Sequence, residues 1–225
     1  MSGTKELKTR KAYSRPEEPA NFATYAFAAV STFVGLVFLL IKAVPLGGAA
    51  VISAIVFGGA YLFVFVGGAL CHILPAGNAA RSVLRRTDRS AVCLLVFGAF
   101  SAVFVCGLCG GTLADRVWGI ALFAVLTACS VAAAVVNAVD AGQSKLICLA
   151  LYVAVGLAAA VRVTRIIDLC GWACFWWLVG GGAAYFAGAV LCSSRGLLPA
   201  RHVFWHLFVI VGAAAQFVGV YLYVL

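Results

Sequence analysis

Long uninterrupted apolar runs constrain the fold of this chain more than any other feature. Each is about as long as the roughly 20-residue helix that crosses a hydrocarbon core of about 30 Å. The apolar residues are continuous rather than alternating, which indicates helices and not strands. We therefore predict an all-α fold, a seven-transmembrane helix bundle with spans near residues 22–44, 49–75, 89–109, 116–138, 143–164, 170–193 and 201–225.

The composition supports a membrane location for nearly the whole chain. Hydrophobic residues make up 65% of the sequence, charged residues make up 10%, and the mean hydropathy is +1.11. A soluble domain of this size is excluded by such a composition. We predict a basic cytoplasmic tail at residues 1–21 and one membrane domain at residues 22–225. The first run lacks a small-residue cleavage site, so a removed signal peptide is not expected.

The distribution of basic residues predicts the orientation of the bundle. With a cytoplasmic amino terminus and seven spans, the carboxyl terminus lies on the opposite side, and 12 of the 16 basic residues fall on the inner side. This asymmetry agrees with the positive-inside rule. The net charge of +9 then reflects topology and anionic lipid headgroups, and nucleic acid is not expected as a partner. The inner basic residues are Lys5, Lys8, Arg10, Lys11, Arg15, Arg81, Arg85, Arg86, Arg89, Lys145, Arg195 and Arg201.

The three histidines of the chain are all predicted to lie at the inner side of the membrane. His72 ends the second span, and His202 and His206 open the seventh. Residues four apart share one face of a helix, so the rings of His202 and His206 can reach one cation. Three imidazoles are a ligand set of catalytic zinc sites, which leave a fourth position to water. We predict Zn²⁺ as the cofactor, with these three residues as its ligands.

Asp88 is the acidic residue nearest to this group in the predicted topology. It is expected at the start of the third span, where it can act as the general base for a zinc-activated water. Two alternatives stay open at this point. Each histidine can be an amphipathic anchor at the membrane interface, and Asp88 can instead pair with Arg85, Arg86 or Arg89.

Four segments of the sequence resemble the hemolysin III and progestin/adiponectin receptor (PAQR) family. EEPANFATYA at residues 17–26 resembles the segment before the first span of that family. The stretch HILPAGNAARSVLRRTDRSAVCLLVFGAF at 72–100 resembles its passage from the second to the third span. GGGAAYFAGAV at 180–190 and RHVFWHLFVIVGAAAQFVGVYLYVL at 201–225 resemble its carboxyl end.

The resemblance implies the same site that the histidine pattern indicates. By this resemblance, the zinc ligands map onto His72, His202 and His206, and the aspartate near the zinc water maps onto Asp88. It also implies a cytoplasmic amino terminus and a ceramide-like lipid amide as substrate.

Four positions depart from the family pattern. The serine four residues before the first ligand is Gly68 here, and the histidine of the opening segment is Tyr25. The histidine that follows the aspartate is Arg89, and the later histidine of the seventh span is Gln216. Because partner groups around a metal orient its ligands, these departures bear on catalytic competence more than on metal binding.

Two functions of different classes follow from these observations. The first is a zinc-dependent hydrolase that cleaves a lipid amide or ester, ceramide-like or fatty-acyl, in a cavity open to the cytoplasmic leaflet. The second is a receptor-like membrane protein in which a structural zinc joins the second and seventh helices. A pore is disfavoured because no span carries a regular row of polar residues. The location expected is the cell membrane, with an organelle membrane as the alternative; no oligomeric state is indicated.

Two further groups of residues have simpler interpretations. Cys106 and Cys109 end the third span, and Cys170 and Cys174 begin the sixth, so a disulfide or a second metal between them is an alternative to plain packing. The acidic pair at residues 17–18 is interpreted as solvated residues before the first helix, with a minor role at the inner rim by resemblance.

Overall fold

The computed structural model of the chain describes residues 17–75, 77–139, 154, 157, 160–193 and 200–225. Within these residues the secondary structure is helical, and no strand is present. This confirms the predicted all-α class. The α-helices of the described residues are α1 (Glu18–Ala43), α2 (Gly48–Ile73), α3 (Ala79–Arg89), α4 (Ala91–Ala102), α5 (Leu113–Val139), α6 (Val163–Ser193) and α7 (Arg201–Tyr223).

Six helical stretches of the described residues are long and apolar enough to cross a membrane. They are Glu18–Leu46, Gly48–Ile73, Ala91–Gly110, Leu113–Asn137, Val163–Leu191 and Arg201–Tyr223. The third of these joins α4 to a π-helical turn, Val103–Gly107, and a 3-10 turn, Leu108–Gly110. These stretches correspond to six of the predicted spans. The predicted span at 143–164 lies almost wholly outside the described residues, so the count of seven and the orientation stay predictions.

The polar break between the second and third predicted spans contains a helix of its own, α3. Its start is capped by the Asn78 side chain, whose Oδ1 accepts a hydrogen bond of 2.8 Å from the Ala80 backbone N–H. The helix carries polar and basic residues, so it does not form an apolar run in the sequence. It brings Arg81 and Asp88 to the ends of the neighbouring long helices.

The start of α6 also differs from the sequence prediction, because the polar break expected at 164–168 is helical. Asp115 at the start of α5 explains the difference. Its buried carboxylate accepts hydrogen bonds from Arg162 at 2.8 Å and from Arg165 at 2.8 and 3.0 Å. Ion pairing of these arginines lets the helix extend before Gly171, where φ of +84° marks a kink.

The backbones of helices α6 and α7 lie in direct contact at Gly181 and Gly212. A Cβ atom placed on Gly181 would lie 2.8 Å from the carbonyl oxygen of Gly212, and one on Gly212 would lie 2.7 Å from that of Gly181. Small residues permit this contact, as is usual between helices in a membrane. On its other side, the start of α7 contacts side chains from the start of α1 and from the end of α2.

Candidate metal centre

Helices α2 and α7 bring the three predicted ligands into one cluster. The ring centroid of His72 lies 5.2 Å from those of His202 and His206, and the latter two centroids are 4.4 Å apart. One nitrogen from each ring lies within 4.8 Å of the other two. All three side chains are buried, with His206 fully buried at 0% exposure. Three buried imidazoles that converge in this way could hold a metal ion.

The two histidines of α7 point the same ring nitrogen toward each other. His202 Nε2 lies 3.1 Å from His206 Nε2. Tetrahedral zinc with Zn–N bonds of 2.0–2.1 Å holds its ligand nitrogens about 3.3 Å apart, so this separation suits a shared ion. The Thr24 hydroxyl lies 3.0 Å from His206 Nδ1 and donates to backbone carbonyls of its own helix, at 2.9 Å for Asn21. It therefore accepts from Nδ1 and leaves the Nε2 lone pair of His206 free to bind a metal.

Glu18 fixes the proton of His72 on Nδ1, as Thr24 does for His206. Its Oε2 lies 2.7 Å from His72 Nδ1, and its Oε1 accepts a hydrogen bond of 2.5 Å from Arg81 of α3. An ionised carboxylate only accepts hydrogen bonds, so Nδ1 carries the proton and Nε2 keeps its lone pair. His72 Nε2 is buried and has no hydrogen-bond partner among the described residues. A carboxylate behind a histidine is the usual support of a metal-binding imidazole.

Asp88 lies at the edge of the cluster, near the end of α3 and not at the start of a span as expected. One of its carboxylate oxygens is 3.9 Å from His202 Nε2, and its side chain is 11% exposed. Asp88 therefore reaches the cluster from a third helix. A carboxylate here offsets the charge of a dication that is bound only by neutral imidazoles.

Tyr25 of α1 closes one side of the cluster. Its fully buried ring stacks on His206, with 3.6 Å between centroids and 9° between planes, and meets His72 edge-on at 6.3 Å. Behind it lies Gly68, where an added Cβ would fall 2.1 Å from Tyr25 Cδ2. The two positions that depart from the family pattern on α1 and α2 are therefore in direct contact.

Comparison with known proteins shows the family of this chain. A family model described as haemolysin-III related matches residues 13–217. The chain belongs to the haemolysin III family. It is 27% identical over 208 residues to the hemolysin-3 homolog of Bacillus subtilis (strain 168), covering 92% of this chain and 94% of that protein. It is also 27% identical over an alignment of 226 residues to hemolysin-3 of Bacillus cereus, covering 98% and 97%.

Family membership and the apolar helices together make this haemolysin III protein a multi-pass integral membrane protein. The histidine cluster lies within the matched region. The structure brings His72, His202, His206 and Asp88 together, while their roles as ligands and general base, and zinc itself, stay predictions.

An apolar cavity of about 270 Å³ adjoins the histidine cluster of this haemolysin III protein. Its lining is drawn from residues 28–39 of α1, 57–65 of α2 and 210–217 of α7. Ala28 and Ile210 lie one helical turn beyond Tyr25 and His206, and Phe65 packs edge-on against Tyr25 with 5.7 Å between ring centroids. Tyr25 therefore lies between the histidines and the cavity.

Three residues of this site were not selected from the sequence: Glu18, Thr24 and Tyr25. Glu18 was expected to be solvated, yet it lies in the first turn of α1 with its side chain 21% exposed and paired with His72 and Arg81. A signal for this role was available, because residues 18, 21 and 25 follow the i, i+3, i+7 spacing of one helix face. Glu18, Asn21 and Tyr25, which share this face, are all polar, and Asn21 and Tyr25 are fully buried.

The cysteine pairs predicted near the other end of the bundle contain free thiols. Cys106, Cys109, Cys170 and Cys174 form no disulfide in the described part of the chain. The Cys106 thiol donates a hydrogen bond of 3.3 Å to the Val224 carbonyl. Cys170 and Cys174 are buried and belong to the apolar core.

Proposed function

We propose that this protein is a zinc-dependent hydrolase of a membrane lipid, acting on a ceramide-like amide or a related fatty-acyl ester at the cytoplasmic side of the bilayer. The observation that carries the proposal is the convergence of three buried imidazole nitrogens within 4.8 Å of one another beside the Asp88 carboxylate. Zinc hydrolases combine such a histidine set with a nearby acid.

The residues of the site have distinct roles in this proposal. When bound, zinc would polarise the substrate carbonyl and acidify a water molecule. Asp88 accepts the proton of the attacking water and later gives it to the leaving group. Glu18 and Thr24 hold the protons of His72 Nδ1 and His206 Nδ1, so that both Nε2 atoms would be free to bind the metal.

The apolar cavity supports a lipid as the substrate. It begins one turn from His206 and continues along α1, α2 and α7 between apolar side chains. An acyl chain placed there lies among mostly apolar side chains, and its carbonyl end reaches the histidines and Asp88 only past the Tyr25 ring. A polar, water-soluble substrate gains nothing from such a lining.

The test is turnover of a short-chain fluorescent ceramide by the purified protein, wild type against Asp88→Asn. We expect loss of hydrolysis with full zinc content in the variant, because Asp88 is placed beside the histidines and not among them. Asp168→Asn is the matched control, since that carboxylate is 63% exposed and lies 3.9 Å from Arg165, outside the cluster. Absence of turnover across a panel of lipid amides and esters would remove the hydrolase proposal.

A receptor-like protein with a structural zinc is the second candidate. The observation in its favour is the Tyr25 ring, which fills the space beside Gly68 that a serine would occupy, so no side-chain hydroxyl is available at position 68. Zinc bound at wild-type level with no turnover of any lipid in the panel is the result that selects this candidate.

A further inference from the structure

Tyr25 and Gly68 fit each other so closely that a side chain at position 68 would displace the Tyr25 ring. An added Cβ at Gly68 would lie 2.1 Å from Tyr25 Cδ2 and 2.2 Å from Cε2. Separations below 3 Å do not occur between such atoms, so the ring would have to move. The ring has little room to do so, because it is fully buried between His206 on one side and Phe65 on another.

The contact between Tyr25 and His206 is the closest ring stacking around the cluster. The two planes are nearly parallel, at 9°, with centroids 3.6 Å apart. Stacking on one face and the Thr24 hydroxyl at Nδ1 together restrict rotation of the His206 ring. The orientation that results directs His206 Nε2 at His202 Nε2, 3.1 Å away.

We propose that Tyr25 is a positioning residue of the histidine cluster, which holds His206 in its metal-binding orientation, and that Gly68 is required because it admits the Tyr25 ring. Residues 25 and 68 then act as one size-matched pair on α1 and α2. The inference rests on the zinc site proposed above. It goes beyond that site because it assigns a function to a side chain that is neither a ligand nor an acid.

The aromatic ring, and not the hydroxyl, carries this role. The Tyr25 hydroxyl is buried beside the Asp88 carboxylate, whereas the contacts that orient His206 come from the ring face. Phenylalanine at position 25 keeps that face, whereas leucine keeps part of the apolar bulk and loses the face. The two substitutions therefore separate ring stacking from the mere filling of space.

The first experiment measures zinc affinity by chelator competition on purified wild type, Tyr25→Phe and Tyr25→Leu. We expect wild-type affinity for Tyr25→Phe and a loss of about 10–100-fold for Tyr25→Leu, the usual effect of removing a group that orients a ligand. The same three proteins loaded with Co²⁺ give a visible spectrum that reports ligand geometry. It should be unchanged in Tyr25→Phe and altered in Tyr25→Leu.

A merely structural role of Tyr25 would lower the thermal stability of Tyr25→Leu and leave the Co²⁺ spectrum of the folded protein unchanged. That result, or wild-type zinc affinity in Tyr25→Leu, would overturn the positioning role. Wild type that binds neither zinc nor Co²⁺ contradicts the proposed function itself, so the two failures are distinguishable.

The second experiment tests the size match by a double-mutant cycle, read by thermal unfolding. Gly68→Ala should lower the unfolding temperature strongly with Tyr25 in place and only slightly in a Tyr25→Ala background, where the ring is gone. Gly59→Ala is the matched control, because a Cβ on this exposed glycine of α2 meets nothing within 4 Å. Equal losses in both backgrounds would contradict the pairing, whether or not the protein binds a metal.

Discussion

Glu18 and Thr24 bind the ring nitrogens that face away from the centre of the histidine cluster. Each fixes one proton, on His72 Nδ1 and on His206 Nδ1, and so determines which nitrogen remains free to bind a metal. Glu18 also joins the cluster to Arg81 of α3, which keeps the carboxylate paired on both oxygens. At the scale of single residues, the site therefore depends on α1 as much as on the helices that carry the ligands.

Removal of the Glu18 carboxylate should weaken metal binding. We expect Glu18→Ala to lower zinc affinity about 10–100-fold, because His72 loses the acceptor that fixes its tautomer and ring orientation. Chelator competition measures the change. Asp168→Ala, which removes an exposed carboxylate elsewhere, should retain wild-type affinity. Unchanged affinity in Glu18→Ala would show that His72 is oriented by its own helix.

The histidines of the cluster were selected from the sequence, whereas the residues that contact them from α1 were not. His202 and His206 are marked by their four-residue spacing, and His72 by its place at the end of an apolar run. Glu18 shares a polar helix face with Asn21 and Tyr25, but this pattern does not distinguish it as a partner of His72, because an acidic residue at the start of a helix is also favoured by the helix dipole. The stacking of Tyr25 on His206 depends on how α1 and α7 cross, which no spacing within one helix reveals.

At the scale of elements, the apolar runs predicted the positions of the long helices. The observed helices differ from the predicted ones where the sequence is charged. Helix α3 and the first turns of α6 were assigned to polar breaks. Both contain arginines whose partners lie on other helices, Glu18 for Arg81 and Asp115 for Arg165. Such pairs neutralise charge only after the helices have packed, so hydropathy along the chain underestimates helix length at these places.

The backbone contact between α6 and α7 gives a prediction with a neighbouring control. Gly181→Ala should lower the unfolding temperature, because its Cβ would lie 2.8 Å from the Gly212 carbonyl oxygen and push the two helices apart. Gly182→Ala should be neutral or slightly stabilising, since a Cβ there meets nothing within 4 Å. Thermal unfolding in detergent measures both variants. Equal effects would argue against close α6–α7 packing.

For the whole molecule, orientation decides whether the site faces the cytoplasm. The positive-inside distribution predicts an inner amino terminus and, with seven spans, an outer carboxyl terminus. Accessibility of single tags at the two termini to membrane-impermeant reagent in intact cells tests this. We expect labelling at the carboxyl terminus alone. Labelling at both ends or at neither would require an even number of spans.

The metal content of the purified protein tests the central claim most directly. Three convergent imidazoles predict about one zinc per chain in the wild type. His202→Ala should retain almost none, because two imidazoles do not make a stable zinc site, while Thr32→Val on the cavity side of α1 should keep the wild-type content. Metal analysis of the three proteins, purified in parallel without added zinc, gives the answer. Zinc near zero in the wild type, or equal zinc in wild type and His202→Ala, would contradict the account.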